Sequence, residues 1–269
     1  MPLSRESSSP ETRAVAARES GAHAAVYGWR VPRPRYPAKG ETPPPLPPEV
    51  RTVGQVVAEA IKLYQANLGS ALALGLPIAV ADQVVIDSSV GARVVVLIAV
   101  SPFLSLAYAR ACAIPRREQP PLRVWVTAVA VGVVTFLPAA PFFPWFALAS
   151  ILWLAVAGHA VPAVVFERLG FVAALRRSLE LGRADYVHAA GSFATLAILF
   201  WLTRVALGLL LSSQADATIR VAIFLADAVV SPLLFLGAAI VYVDLAARVG
   251  LSGEERRRIR EAAWSRSAK

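Results

Sequence analysis

Residues 161–191, VPAVVFERLGFVAALRRSLELGRADYVHAAG, decide what kind of chain this is. An apolar run ends at Phe166, a charged stretch follows, and a second apolar run begins near His188. At about 100° per residue, Phe171, Leu175, Leu179, Gly182 and Tyr186 share one helix face. Arg176, Arg177, Glu180 and Arg183 gather on the opposite face. Such a helix lies in the headgroup layer of a bilayer, and apolar runs of about 20 residues on either side can cross the hydrocarbon. The stretch therefore reads as a membrane exit, an interfacial helix and a return.

Composition points the same way. Of the 269 residues, 57% are hydrophobic and 17% charged, against roughly 45–50% and about 25% in soluble domains. The net charge of +9 lacks the clustering and aromatic interleaving of a nucleic-acid surface. It is assigned instead to membrane topology and anionic lipid headgroups, with no nucleic-acid partner. Cys112 is the only cysteine, so an intrachain disulfide and a cysteine-rich metal site are both excluded.

Three regions follow. Residues 1–50 form a tail expected to be disordered, because PRPRYPAKGETPPPLPPEV (32–50) is too rich in Pro to hold a packed core. That run serves either as a plain linker or as a ligand for an aromatic-grooved protein partner. Residues 51–250 form an all-α, polytopic membrane helix bundle, and 251–269 a basic C-terminal tail. Hydropathy places six transmembrane helices at about 68–86, 92–114, 124–137, 144–166, 189–211 and 219–246. Between the third and fourth, LPAAPFFPWF carries Pro138, Pro141 and Pro144, which are expected to break the helix into a tight hairpin.

The chain also repeats itself. From Val53, the residues Val53, Val56, Val57, Ile61, Tyr64 and Leu68 face one way. Setting Val53 against Phe171 matches Val57 to Leu175, Ile61 to Leu179 and Leu68 to Tyr186, a second amphipathic interfacial helix in the same phase. Ser101-Pro102 and Ser231-Pro232 sit in the middle of the second and sixth spans. Each proline frees a carbonyl that the preceding serine can satisfy. The repeat unit is then an interfacial helix followed by a membrane hairpin, with a middle copy beginning at Leu122. The helix breaks are expected at single prolines.

Of the 27 Lys and Arg, all but Arg93, Arg204 and Arg220 fall in regions that this topology puts on one side. The positive-inside rule makes that side the cytoplasm, with both termini there and the protein multi-pass in the plasma membrane.

The run HAVPAVVFERLGFVAALRRSLELGRADYVHAAG, together with RTVGQVVAEAIKLYQANLG (51–69) and IVYVDLAARVG (240–250), resembles the glycerophosphoryl diester phosphodiesterase membrane-domain family. That resemblance implies a multi-spanning bacterial membrane domain over about residues 50–250. The phosphodiesterase barrel of some family members has no counterpart, so the resemblance does not carry their activity over.

No catalytic, cofactor or metal signature is present in the residues themselves. His23, His159 and His188 have no metal-ligand neighbour at helical spacing. His159 reads as a hydrogen-bonded core residue. Glu167 and Asp244 read as structural, with Asp244 able to pair with Arg248 at i,i+4 and either acid able to hold the basic face of 171–186. Arg176, Arg177 and Arg183 are candidate lipid-headgroup contacts. Arg204 and Asp227 lie about 10 Å and 14 Å inside consecutive antiparallel spans joined by the short loop LSSQADAT. Both are costly there unless paired, so they form a candidate ion pair. Asp82 and Asp87 read as solvated mouth residues. Two functions remain: a non-catalytic membrane organiser that grips anionic lipid or a partner, and a small transporter or lipid-handling protein built on Arg204 and Asp227.

Overall fold

The computed structural model describes residues 46–116, 119–142 and 147–267. Most of the Pro-rich tail and residues 143–146 of the expected hairpin lie outside the described residues. The described chain is all-helical. Six stretches are long and apolar enough to cross a membrane: Leu68–Val85, Val90–Ala113, Leu122–Ala140, Ala147–Glu167, Tyr186–Leu210 and Asp216–Arg248. The protein is a polytopic membrane helix bundle.

Its packing is that of a bundle in lipid. Small residues fill the helix seams: Ala107, Ala109, Ala111, Ala155, Ala160, Ala163, Ser101 and Ser105 are all buried. Large apolar residues point outward instead, with Phe103, Ile198, Trp201 and Leu209 between 61% and 72% exposed. In water such a surface would aggregate. In hydrocarbon it costs nothing, and close approach through small residues supplies the helix–helix contact.

The first helix, α1 (Val53–Ala66), starts at a capping box in which Gln55 N–H donates to Thr52 Oγ1 and Thr52 N–H to Gln55 Oε1. The first span is made of α2 (Leu68–Leu72), a 3₁₀ turn at Ala73–Gly75 and α3 (Leu76–Val85). Helix α4 (Val90–Ala113), capped by Ser89, is the second span. Its Pro102 frees the Ile98 carbonyl, and Ser101 Oγ donates to that carbonyl at 2.7 Å. At the other Ser-Pro pair, Ser231 Oγ donates to Asp227 O at 2.5 Å.

Helix α5 (Leu122–Phe142) corrects the expected helix break at Pro138 and Pro141, because it runs through both. Pro138 and Pro141 free the Val134 and Leu137 carbonyls. The next span packs and donates beside them, Trp153 Nε1 to Thr135 O at 2.8 Å and Ser150 Oγ to Ala139 O at 3.0 Å. Starting at Leu122, α5 is itself a span, so the middle repeat has no interfacial helix.

The fourth span consists of α6 (Ala147–Ala157) and α7 (Ala160–Glu167). The interfacial helix α8 (Phe171–Ala184) follows, and α9 (Tyr186–Leu210), capped by Asp185, is the fifth span. The sixth consists of α10 (Asp216–Val230) and α11 (Pro232–Arg248). Three spans are thus interrupted, and a proline follows each break within the first turn of the next helix: Pro77 after 73–75, Pro162 after 158–159 and Pro232 after Val230.

Helices α1 and α8 are the same length and occupy corresponding registers. The buried residues of α1, Val56, Ala60 and Tyr64, correspond to buried Ala174, Ser178 and Gly182 of α8. The internal repeat is therefore a repeat of packing face.

Both ends of the 51–250 domain extend further than expected. Leu46 and Val50 are buried, with Pro48–Val50 turned against α11, and the C-terminal stretch forms α12 (Gly253–Ser267). Apolar Leu46 and Val50 seat this end of the tail.

Candidate functional site

Two ionic clusters sit at opposite ends of the bundle. At the end away from the termini, Arg204 Nη1 lies 3.3 Å from Asp227 Oδ2, and Arg204 Nη2 lies 2.7 Å from Asp82 Oδ2. The two residues singled out by depth do meet, and a third joins them. Asp82 is therefore no simple mouth residue.

It is drawn in by the antiparallel seam of α3 and α10. Along that seam Gly75 packs on the Ala228 backbone, Ser231 Oγ reaches the Gly75 carbonyl at 3.4 Å, and Gln83 Nε2 donates to Arg220 O at 3.3 Å. Asp87 is exposed and pairs with Arg220. Arg204 also lies over the Phe200 ring, 5.8 Å from its centroid. The Asp227 side chain is fully buried, and its Oδ1 has no hydrogen-bond partner. One guanidinium thus faces two carboxyl groups at membrane depth, more acid than it can pair as an ion.

At the basic end, Asp244 is fully buried and pairs with Arg51 at 2.5 Å. This takes the place of the Asp244–Arg248 pair that i,i+4 spacing allows. Arg248 turns away to Asp185 at 2.8 Å and to the Arg51 carbonyl at 2.6 Å. Arg256 of α12 reaches the same Asp185 oxygen at 2.7 Å, and His188 Nε2 stands 3.6 Å from Asp244 Oδ2. Asp185 accordingly ties together the start of α9, the end of α11 and α12. Glu167 holds Arg177 at 3.1 Å and accepts the Tyr242 hydroxyl at 2.5 Å, so it does grip the basic face of α8.

Sequence reasoning missed Asp185, Arg51 and Arg248 as a unit. The one local signal was Asp185 three residues before His188, a helix-capping spacing.

Burial alone would raise the Asp185 carboxyl, but the Arg248 guanidinium and the His188 amide outweigh it and hold the group below its ordinary value. A depressed carboxyl contributes stability above its unfolded pKa of about 3.9, and loses it as pH falls through the lower folded value. Acidification below about pH 4 should therefore loosen α12, read as faster amide exchange over 253–267. Asp185→Asn should loosen α12 at neutral pH by about 2 kcal/mol and remove that acid step.

The three candidate headgroup arginines separate. Arg177 is engaged by Glu167 and Glu180. Arg176 and Arg183 are exposed and have no ion-pair partner among the described residues. His159 is fully buried, with its Nε2 donating to Ala155 O at 3.0 Å between the Phe193 and Tyr242 rings. Among the described residues no three His, Cys, Asp or Glu side chains converge as metal ligands. Compared with protein-family models, curated proteins and solved structures, the chain matches none.

Proposed function

We propose that this protein is a non-catalytic organiser of the bacterial plasma membrane, with both termini cytoplasmic, which grips anionic lipid through its interfacial helices. The observation that carries this reading is the three-sided surface of α8. One side, with Ala174, Ser178, Leu181 and Gly182, packs on the bundle. A second, with Phe171, Val172 and Leu179, is apolar yet 38–68% exposed. The third presents Arg176 and Arg183.

A helix so divided can rest on protein, dip its apolar side into lipid and offer two free guanidinium groups to headgroups. The apolar exposure also moves the expected lipid-facing side toward Val172 and Leu179. The all-but-three distribution of Lys and Arg supports the cytoplasmic placement of the termini. Kinship with the glycerophosphoryl diester phosphodiesterase membrane-domain family belongs to the same proposal and rests on the run at 161–191.

Spin labels at 171 and 179 should be shielded from a water-soluble relaxant and reached by oxygen, whereas labels at 176 and 180 should show the reverse. Equal water access at all four positions would end the organiser reading.

A second reading, a small transporter or lipid-handling protein, is favoured by one specific arrangement. The interrupted first and sixth spans cross at their breaks, where Ser231 meets Gly75, and the Arg204–Asp82–Asp227 cluster lies beside that crossing. Transporters commonly place their sites at broken helices. Uptake of a solute by proteoliposomes, lost on Asp227→Asn, would replace the organiser with this second reading.

A further inference from the structure

The basic end carries a concave feature that neither ionic cluster uses. Helix α2, the last turn of α4 and the first turn of α5 enclose an open groove of about 370 Å³, lined by Ser70, Leu106, Arg110, Ile114, Gln119 and Trp125. Its lining has two characters. Leu106 and Ile114 are apolar, whereas Arg110, Ser70, Gln119 and the Trp125 indole N–H offer a cation and hydrogen-bonding groups. Arg110 is exposed and has no ion-pair partner among the described residues.

The groove also has a fixed depth. It lies where the span Val90–Ala113 ends and Leu122–Ala140 begins, which is the boundary between hydrocarbon and headgroups. On the same helices, Leu68 and Leu72 of α2 and Leu122 of α5 are apolar and exposed.

We infer that this groove binds the phosphate-bearing headgroup of an acidic phospholipid, with Arg110 as its cationic anchor and an acyl chain against Leu106. A free anion would gain from Arg110 but nothing from the apolar half. A neutral lipid would gain from the apolar half but leave Arg110 without a net counter-charge. Only an anionic amphiphile uses both. The inference rests on the reading of the protein as a binder of anionic lipid, but uses a surface separate from α8.

The test titrates the full-length protein in mild detergent with phosphatidylglycerol, phosphatidylcholine or inorganic phosphate, and reads retained lipid by native mass spectrometry together with the shift in Tm. Phosphatidylglycerol should be retained and raise Tm, and the other two should do neither. Arg110→Gln should weaken retention roughly fivefold, the equivalent of about one interfacial charge, and Arg110→Lys should recover most of it. Ala113→Trp, which fills the groove from α4, should abolish retention. Arg93→Gln, at the opposite end of α4, should leave it unchanged.

Wild-type retention by Arg110→Gln would overturn the inference, as would equal retention of phosphatidylcholine. An equal Tm shift from inorganic phosphate would assign the groove to free anions instead. The spin-label depths on α8 decide the organiser reading independently, so failure of either is distinguishable from failure of the other.

Discussion

Arg204→Ala should destabilise the protein by about 3–5 kcal/mol, more than either Asp227→Ala or Asp82→Ala. The guanidinium stands within 3.3 Å of both carboxylates. Removing it leaves two carboxyl groups at membrane depth with no cation between them, whereas removing one carboxylate leaves Arg204 with the other. Asp227→Ala should rank second because its side chain is fully buried, and Asp82→Ala third because Asp82 is 17% exposed. Arg204 is itself 26% exposed, and snorkelling of its head toward the surface would shrink all three losses together. Combining Arg204→Ala with Asp227→Ala should recover only part of the loss, since Asp82 remains unpaired. The triple variant should recover more. Denaturation of the single, double and triple variants in detergent or bilayer measures these couplings. Strict additivity between Arg204 and Asp82 would mean that the third member of the cluster contributes nothing.

The cluster also shows where sequence reading succeeds and where it stops. Arg204 and Asp227 were legible because each is a charge inside an apolar run, and a short loop fixes their helices as antiparallel neighbours. Hydropathy and charge asymmetry are one-dimensional properties, so the six spans could be read within a few residues. The faces of α1 and α8 were legible in phase for the same reason. Asp82 was not legible, because its role depends on which helix lies beside α3. That contact is made by Gly75 and Ala228, 153 positions apart in the chain. Asp244 does not pair with Arg248, because i,i+4 spacing only permits a pair. The competing partner, Arg51, arrives from the far end of the chain through the buried seat of Leu46 and Val50. The prolines of α5 misled for a related reason. A helix breaker in water is tolerated in a packed membrane helix, and the packing around this one, with Trp153 and Ser150 donating to the Thr135 and Ala139 carbonyls, comes from the next span.

Gly75→Ala tests the seam that brings Asp82 into place, and the expected loss is at least about 1–3 kcal/mol, with Gly75→Val costing more. An added Cβ would lie 2.2 Å from the Ala228 carbonyl oxygen and 2.9 Å from the Ala228 Cα. Both are backbone atoms inside α10, so neither can rotate away as a side chain would. The first and sixth spans must separate instead. Separation would withdraw the Gly75 carbonyl from Ser231 and pull Asp82 from Arg204, so one methyl group should disturb both the packing and the ion cluster. Gly69→Ala and Gly208→Ala are the controls, since an added Cβ meets nothing within 4 Å at either position. Relief of glycine's backbone entropy should make each neutral or stabilising by about 0.5–1 kcal/mol. Thermal or chemical denaturation of the three variants side by side reads the difference, and Gly75→Ala as stable as Gly69→Ala would mean that the two spans do not approach so closely. A cycle with Arg204→Ala goes one step further. If the methyl group already pulls Asp82 away, the double variant should lose less than the sum of the single losses, which ties the close approach at Gly75 to the charges beyond it.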